Sequence, residues 1–156
     1  KYLKSNHSSI MKKIKILCIG DDFIKSNLED CAIQVESLGY ISNRNKLAEL
    51  YTVADVFINA STADSGPLML AEAIMSGTPA ISSNVGLAKD LIVSEEIGEI
   101  LSEISSISLG KAIVKFIQKT PQENARMRAL TREQGLSVLN DEKYIKSLSK
   151  LILKLL

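Results

Sequence analysis

Residues 55–92 read DVFINASTADSGPLMLAEAIMSGTPAISSNVGLAKDLI, and this stretch decides the fold. DVFINA (55–60) is a short apolar run of the kind that forms a buried strand. A polar loop, STADSG (61–66), leads to Pro67, a preferred first helical residue. LMLAEAIMS predicts a helix that stops at Gly77, a good C-terminal cap. Thr78-Pro79 then opens a second strand, PAISS (79–83), and Gly86 starts a short helix over Leu87 to Ile92. Two strands joined by a helix at such close spacing run parallel, because the crossover returns the chain to the same end of the sheet.

The same alternation extends outward in both directions. Upstream, KYLKSNHSSIMK (1–12) reads as the tail of a helix and a polar turn. KIKILCIG (13–20) is a near-continuous apolar run, expected to be a strand buried on both faces, and IQVESLG (33–39) is a second one closed by glycine. Weak helical signal lies between them over Phe23 to Leu28. Ser42 and Asn43 can cap a helix with Leu47, Leu50, Tyr51 and Ala54 on its apolar face. Downstream, GEILS (98–102) is a last strand, followed by helices over 108–119, 121–136 and 141–155. The final helix carries Ile145, Leu148, Ile152 and Leu155 on one face, a docking stripe. The expected fold is α/β: a doubly wound, Rossmann-like parallel sheet of about five strands with C-terminal helices. Right-handed crossovers place the loops after Gly20, Gly39, Ala60 and Ser83 on one rim, where such sheets bind ligands.

Composition narrows the function. The 156 residues make one domain, 46% hydrophobic and 24% charged, which excludes a disordered chain. Nineteen basic against eighteen acidic residues give a net charge of +1, and aromatics are 4% with no Trp. Neither an electrostatic grip on nucleic acid nor a base-stacking platform is built from that. No apolar run reaches the roughly 18 residues of a membrane span. Cys18 and Cys31 are too few for a cysteine zinc site, and His7 is the sole histidine. The chain opens on Lys1, so the sequence reads as a piece of a longer protein.

Between Ser65 and Ala88 the only charged residue is Glu72, in the second turn of an otherwise apolar helix. A carboxylate there meets an internal partner, faces a polar cleft, or lies on the helix's one solvated stripe. On the ligand rim just before it, Gly66 permits close approach to the backbone, and the free N–H groups of the helix start favour an anion. Asp64 and Glu72 are eight positions apart, roughly 10 Å along the element at the helical rise. That spacing suits two carboxylates gripping hydroxyl groups at either end of a diphosphate; the plainer alternative is that Asp64 only makes a turn.

These residues resemble the donor-binding core of GT-B glycosyltransferases, specifically the retaining family-four enzymes (glycosyltransferase group one). The resemblance rests on the Asp55-Val56 strand, Asp64 followed after seven residues by Glu72-Ala73, and Ser76-Gly77-Thr78-Pro79-Ala80. It extends upstream through LGYISNRNKLAELYTVADV (38–56) and downstream through IGEIL and the last helices, covering about residues 13–155. It implies that Glu72 binds the ribose hydroxyls and that Asp64 contacts the transferred sugar. By the same resemblance the amides of Ser65, Gly66, Pro67 (which lacks an N–H), Leu68 and Met69 define the diphosphate stretch, and Gly39, Tyr40 and Ile41 lie against the base. The family transfers a sugar, as a hexosyltransferase does, from a nucleoside-diphosphate donor with retention and without a metal or other cofactor. Its acceptor, a glycan or lipid, binds a separate N-terminal domain, so residues 1–156 are expected to be the nucleotide-sugar-binding half, lacking that domain and the first strand. A bacterial, cytoplasmic role in polysaccharide biosynthesis follows, with peripheral contact at the inner membrane face through Lys1, Lys4, Lys12, Lys13 and Lys15 as an added option.

This chain departs from the family at several points. Asp64 stands where Glu is usual, Ser65-Gly66-Pro67 where Gly-Phe-Gly is common, and no basic pair of a first strand is present; Arg44 is the nearest rim cation. Two alternatives therefore stay open. One is a catalytically silent domain of the same fold. The other is a receiver-like signalling domain, from Gly20-Asp21-Asp22 after the first strand, although Asn59-Ala60 occupies the position of its phospho-accepting Asp.

Overall fold

The computed structural model describes residues 2–20 and 33–139. Two short helices, α1 (Tyr2–Asn6) and α2 (Ser8–Met11), precede strand β1 (Lys15–Cys18). The chain continues through β2 (Gln34–Ser37), α3 (Arg44–Val53), β3 (Phe57–Asn59), α4 (Leu68–Met75) and β4 (Ala80–Ser82). The described part closes with α5 (Ala88–Leu91), β5 (Gly98–Ile100), α6 (Ser106–Ile117) and α7 (Pro121–Val138). The expected weak helix at Phe23 to Leu28, Cys31, and the stripe on 141–155 lie outside the described residues.

The strand pairings among the described residues are all parallel. Lys15 stands opposite Gln34 between β1 and β2; β4 lies between β3 and β5, with Ala80 opposite both Phe57 and Gly98. Among the described residues the five strands form a two-stranded and a three-stranded sheet.

Strand β4 shows why the architecture is layered on both sides. Successive side chains on a strand point to opposite faces. Ala80 packs with Leu70, Ile74, Leu91 and Ile97, whereas Ile81 packs with Leu101, Ala112, Phe116 and Met127. Helices α4 and α5 thus cover one face and α6 the other, and all three residues of β4 are buried. A third cluster, Leu3, Met11 and Val114 with Ile14 and Ile33, seats α1 and α2 against α6 beside the first sheet.

Strands β1 and β2 correct the expectation of burial on both faces. Lys15 and Leu17 of β1 and Gln34 and Glu36 of β2 are exposed, while Cys18 is buried. The outward row carries charge as well as apolar bulk, with Lys15 bridging Glu36 at 2.6 Å. An apolar run in sequence does not distinguish a strand covered twice from one covered once.

Local signals set the helix ends. Asn43 caps α3, its Oδ1 accepting from the N–H groups of Asn45 (3.0 Å) and Lys46 (3.1 Å). Helix α4 starts one residue later than expected, with Pro67 as its N-cap. It stops in a Schellman arrangement: Gly77 takes φ +76°, its N–H donates to Ile74 O, and Thr78 N–H donates to Ala73 O. Thr120 and Glu123 close a reciprocal capping box on α7.

Candidate active site

The C-terminal end of β3 is tied to that of β4 through buried polar groups. Asn59 Nδ2 donates to Ser82 Oγ (3.2 Å), Ser61 Oγ donates to Asn59 Oδ1 (2.8 Å), and Ser83 Oγ donates to Ser61 O (2.6 Å). The Ser83 N–H also donates to Asn59 O at 2.9 Å. The loops after Ala60 and Ser83, expected on one rim, are therefore fastened to each other. The loops after β1 and β2 are joined likewise, Gly20 N–H donating to Gly39 O at 2.9 Å.

Above this floor the segment 64–67 makes a tight turn. Asp64 Oδ1 accepts from Gly66 N–H at 3.0 Å, so the plainer reading of Asp64 as a turn-former holds for that oxygen. Gly86, at φ +47°, lies directly beneath: a Cβ there would stand 2.8 Å from Pro67 Cδ and 2.9 Å from Asp64 O. Ser65 and Gly66 are exposed and Pro67 is buried. Leu68 and Met69 open α4 and are 70% and 59% exposed. Their backbone N–H groups precede the first intrahelical hydrogen bonds, which Leu70 and Ala71 make to Pro67 O. Helix α4 thus presents free donors and the positive end of its dipole at the rim.

Glu72 has an internal partner. The Tyr51 hydroxyl of α3 donates to Glu72 Oε2 at 3.1 Å, while Glu72 stays partly exposed. Tyr51 is itself buried, its ring edge-on to Phe57 at a centroid distance of 5.8 Å. The fully buried Thr78 donates its hydroxyl to Tyr51 O. Burial, then the charge and the hydrogen bond of Glu72, hold the Tyr51 phenol well above the usual tyrosine range, so it remains a hydrogen-bond donor. The helical spacing puts Tyr51 only on an apolar face and does not reveal this partner. The signal that could have found its role is chemical: a buried tyrosine hydroxyl needs a partner, and Glu72, the one charge between Ser65 and Ala88, needs one too.

Of the residues expected to lie against a base, Gly39 takes φ +64°. Ile41 is half-buried, and Tyr40 is 87% exposed. No hydrogen bond among the described residues links them to 64–72. The remaining single residues are ordinary: Cys18 is a buried core thiol, and His7 packs its ring near Tyr2 at 5.8 Å. Among the described residues no cluster of three or more His, Cys, Asp or Glu could hold a metal ion. No described helix is long and apolar enough to cross a membrane.

Parallel strands with helices on both faces of β4 define a Rossmann-like α/β domain, the fold of GT-B donor-binding domains. The profile of the family described as glycosyl transferases group 1 matches residues 4–134, and the chain belongs to that family. Solved structures agree on the fold. Sucrose-phosphate synthase from Thermosynechococcus elongatus superposes with a TM-score of 0.76 at 20% identity, over 99% of this chain and 42% of that one. The catalytic domain of cholesterol-α-glucosyltransferase from Helicobacter pylori gives 0.67 at 20% identity, over 85% and 89%. The Anabaena protein HepE, solved in complex with UDP and glucose, gives 0.72 at 18% identity, over 95% and 44%. No curated protein matches the chain in sequence. The chain thus spans 42% of the synthase and 44% of HepE. Family membership sets aside the receiver-like alternative, and Asn59 is committed to the buried network instead.

Proposed function

We propose that this chain is the donor-binding half of a retaining glycosyltransferase, which takes a nucleoside-diphosphate sugar and passes the sugar to a glycan or lipid-linked acceptor. The carrying observation is Glu72, partly exposed and held by Tyr51 behind a helix start with free N–H groups. The amides at Leu68 and Met69 receive the diphosphate, Glu72 accepts from the ribose hydroxyls, and Asp64 orients the sugar through the oxygen left outside its turn. Gly39, Tyr40 and Ile41 form the side against the base.

The chemistry needs no side-chain nucleophile. The bond from the anomeric carbon to the diphosphate oxygen breaks, and the acceptor oxygen bonds to that carbon on the same face. The acceptor proton passes to the departing diphosphate, whose growing charge is stabilised by the start of α4. Neither a metal nor another cofactor has a part in this scheme. The acceptor site and full closure come from a further domain, so this chain alone binds a donor weakly and transfers nothing. A cytoplasmic location, with the basic N-terminal run near the membrane, belongs to the same reading.

The division of the strands supports a first strand outside residues 1–156. In a doubly wound sheet of order 3-2-1-4-5-6 the first strand separates the second from the fourth. If β1 and β2 are the second and third and β3 to β5 the rest, the break between the two sheets falls at that place.

Calorimetry of the intact protein with UDP-, GDP- and ADP-sugars tests the function, repeated with Glu72→Ala. Binding of one donor, weakened by the substitution, is the expected result. No binding by any donor favours the catalytically silent alternative and removes the transferase reading.

A further inference from the structure

The bond between Tyr51 and Glu72 spans two helices that a third holds in place. Arg128 of α7 donates through Nη1 to Ala54 O (2.8 Å) and through Nη2 to Thr52 O, at the end of α3. Arg132, one turn further along α7, donates to Met75 O at the end of α4. Both guanidinium groups sit where helix carbonyls lack partners and the dipole is negative. The helix bearing the phenol and the helix bearing the carboxylate are thereby fixed against the same scaffold.

Within that frame the phenol has little freedom. Its ring is buried against Phe57 and its backbone carbonyl is held by Thr78. Glu72 has three side-chain torsions and is partly exposed, so without a partner it would sample several rotamers. The hydroxyl engages Oε2 from the protein interior. Oε1 has no hydrogen-bond partner among the described residues.

We propose that Tyr51 is a positioning residue for the sugar-donor site: its hydroxyl selects the Glu72 rotamer that presents Oε1 to the vicinal hydroxyls of a ribose. This rests on the ribose assignment of Glu72 made above. It adds a specific dependence: removing one buried oxygen on α3 weakens recognition of the ribose without touching the ligand. A phenol that merely satisfies its own hydroxyl in the core would change stability alone.

The test uses the intact protein as wild type, Tyr51→Phe, Glu72→Ala, the double variant and Glu72→Asp. Each is titrated calorimetrically with whichever of UDP, GDP or ADP binds most tightly, and with its 2′,3′-dideoxy counterpart. Tyr51→Phe is expected to weaken the ribonucleotide roughly 10- to 150-fold, the range of one hydrogen bond to a charged group. It should leave the dideoxy ligand unchanged and add nothing in the Glu72→Ala background. Glu72→Asp, a methylene too short to serve both Tyr51 and a ligand, should reproduce the ribose-selective loss even if the phenylalanine variant folds poorly. If Glu72→Ala binds the ribonucleotide as wild type does, the ribose assignment fails and the positioning role with it. If Glu72→Ala weakens binding but Tyr51→Phe does not, or weakens both ligands alike, only the positioning role is overturned. Wild-type affinity in Glu72→Asp overturns it also.

Discussion

Replacing Gly86 by alanine probes how closely the loop after β4 supports the turn at 64–67. The new Cβ would stand 2.8 Å from Pro67 Cδ, 2.9 Å from Asp64 O and 3.0 Å from Ser65 C. Each contact is short of ordinary van der Waals separation by roughly half an ångström, and two of the three atoms are backbone, which no rotamer change relieves. Gly86 also has φ +47°, where alanine costs about 1–2 kcal/mol. Overpacking of this kind adds about 1–3 kcal/mol. Part of the sum is offset because alanine restricts the unfolded chain, a gain of about 0.4–1 kcal/mol. The net expectation is a loss of about 3 kcal/mol. Two companion variants separate the components. Gly39→Ala carries the backbone strain alone, since φ is +64° and nothing lies within 4 Å of its Cβ; it should cost about 1 kcal/mol. Gly98→Ala carries the clash alone, its Cβ falling 2.2 Å from Ala80 O, and should break the pairing of β4 with β5. Urea denaturation midpoints, with slopes checked for constancy, supply the measurement. A Gly86→Ala loss within about 0.5 kcal/mol of Gly39→Ala would refute the inferred contact between the two loops.

Other consequences are open to measurement. Thr78→Val keeps the shape of a fully buried side chain but removes its hydrogen bond to Tyr51 O; it should cost about 1–2 kcal/mol by denaturation. Asn59→Ala strips Ser61 and Ser82 of a buried partner, so it should cost about 2 kcal/mol and speed amide exchange at Ser83. Glu123 is held below the usual carboxylate range by the backbone N–H and then the hydroxyl of Thr120. A depressed pKa in the folded state contributes stability above the unfolded value, lost as the pH falls through the folded one. The stability difference between wild type and Glu123→Gln should therefore be constant near neutrality and fade below about pH 4; a difference that grew on acidification would contradict the capping-box geometry.

The alternation of strand and helix, and most element boundaries, were legible because they rest on local physics. Asn43, Gly77 and Pro121 act within a few residues of themselves, and each stands at the helix end its chemistry favours. The Asp64 to Glu72 spacing and the Gly77-Thr78-Pro79 turn likewise carried the family resemblance, which the profile match over residues 4–134 supports. What one strand shows to each side was not legible. β1 and β4 both read as apolar runs, yet only β4 has helices on both faces among the described residues.

The partner of Glu72 was hidden for a related reason. Sequence alone established that a solitary carboxylate sits in an apolar helix behind a polar, glycine-containing loop, since charge and periodicity are properties of the chain itself. Only the tertiary structure decided that Tyr51, 21 residues earlier, meets it. It also decided that Arg128 and Arg132, from the last described helix, hold the two helices in place. Hydrogen bonds between elements depend on how helices cross and on which faces the sheet covers, and neither quantity is written in any single segment.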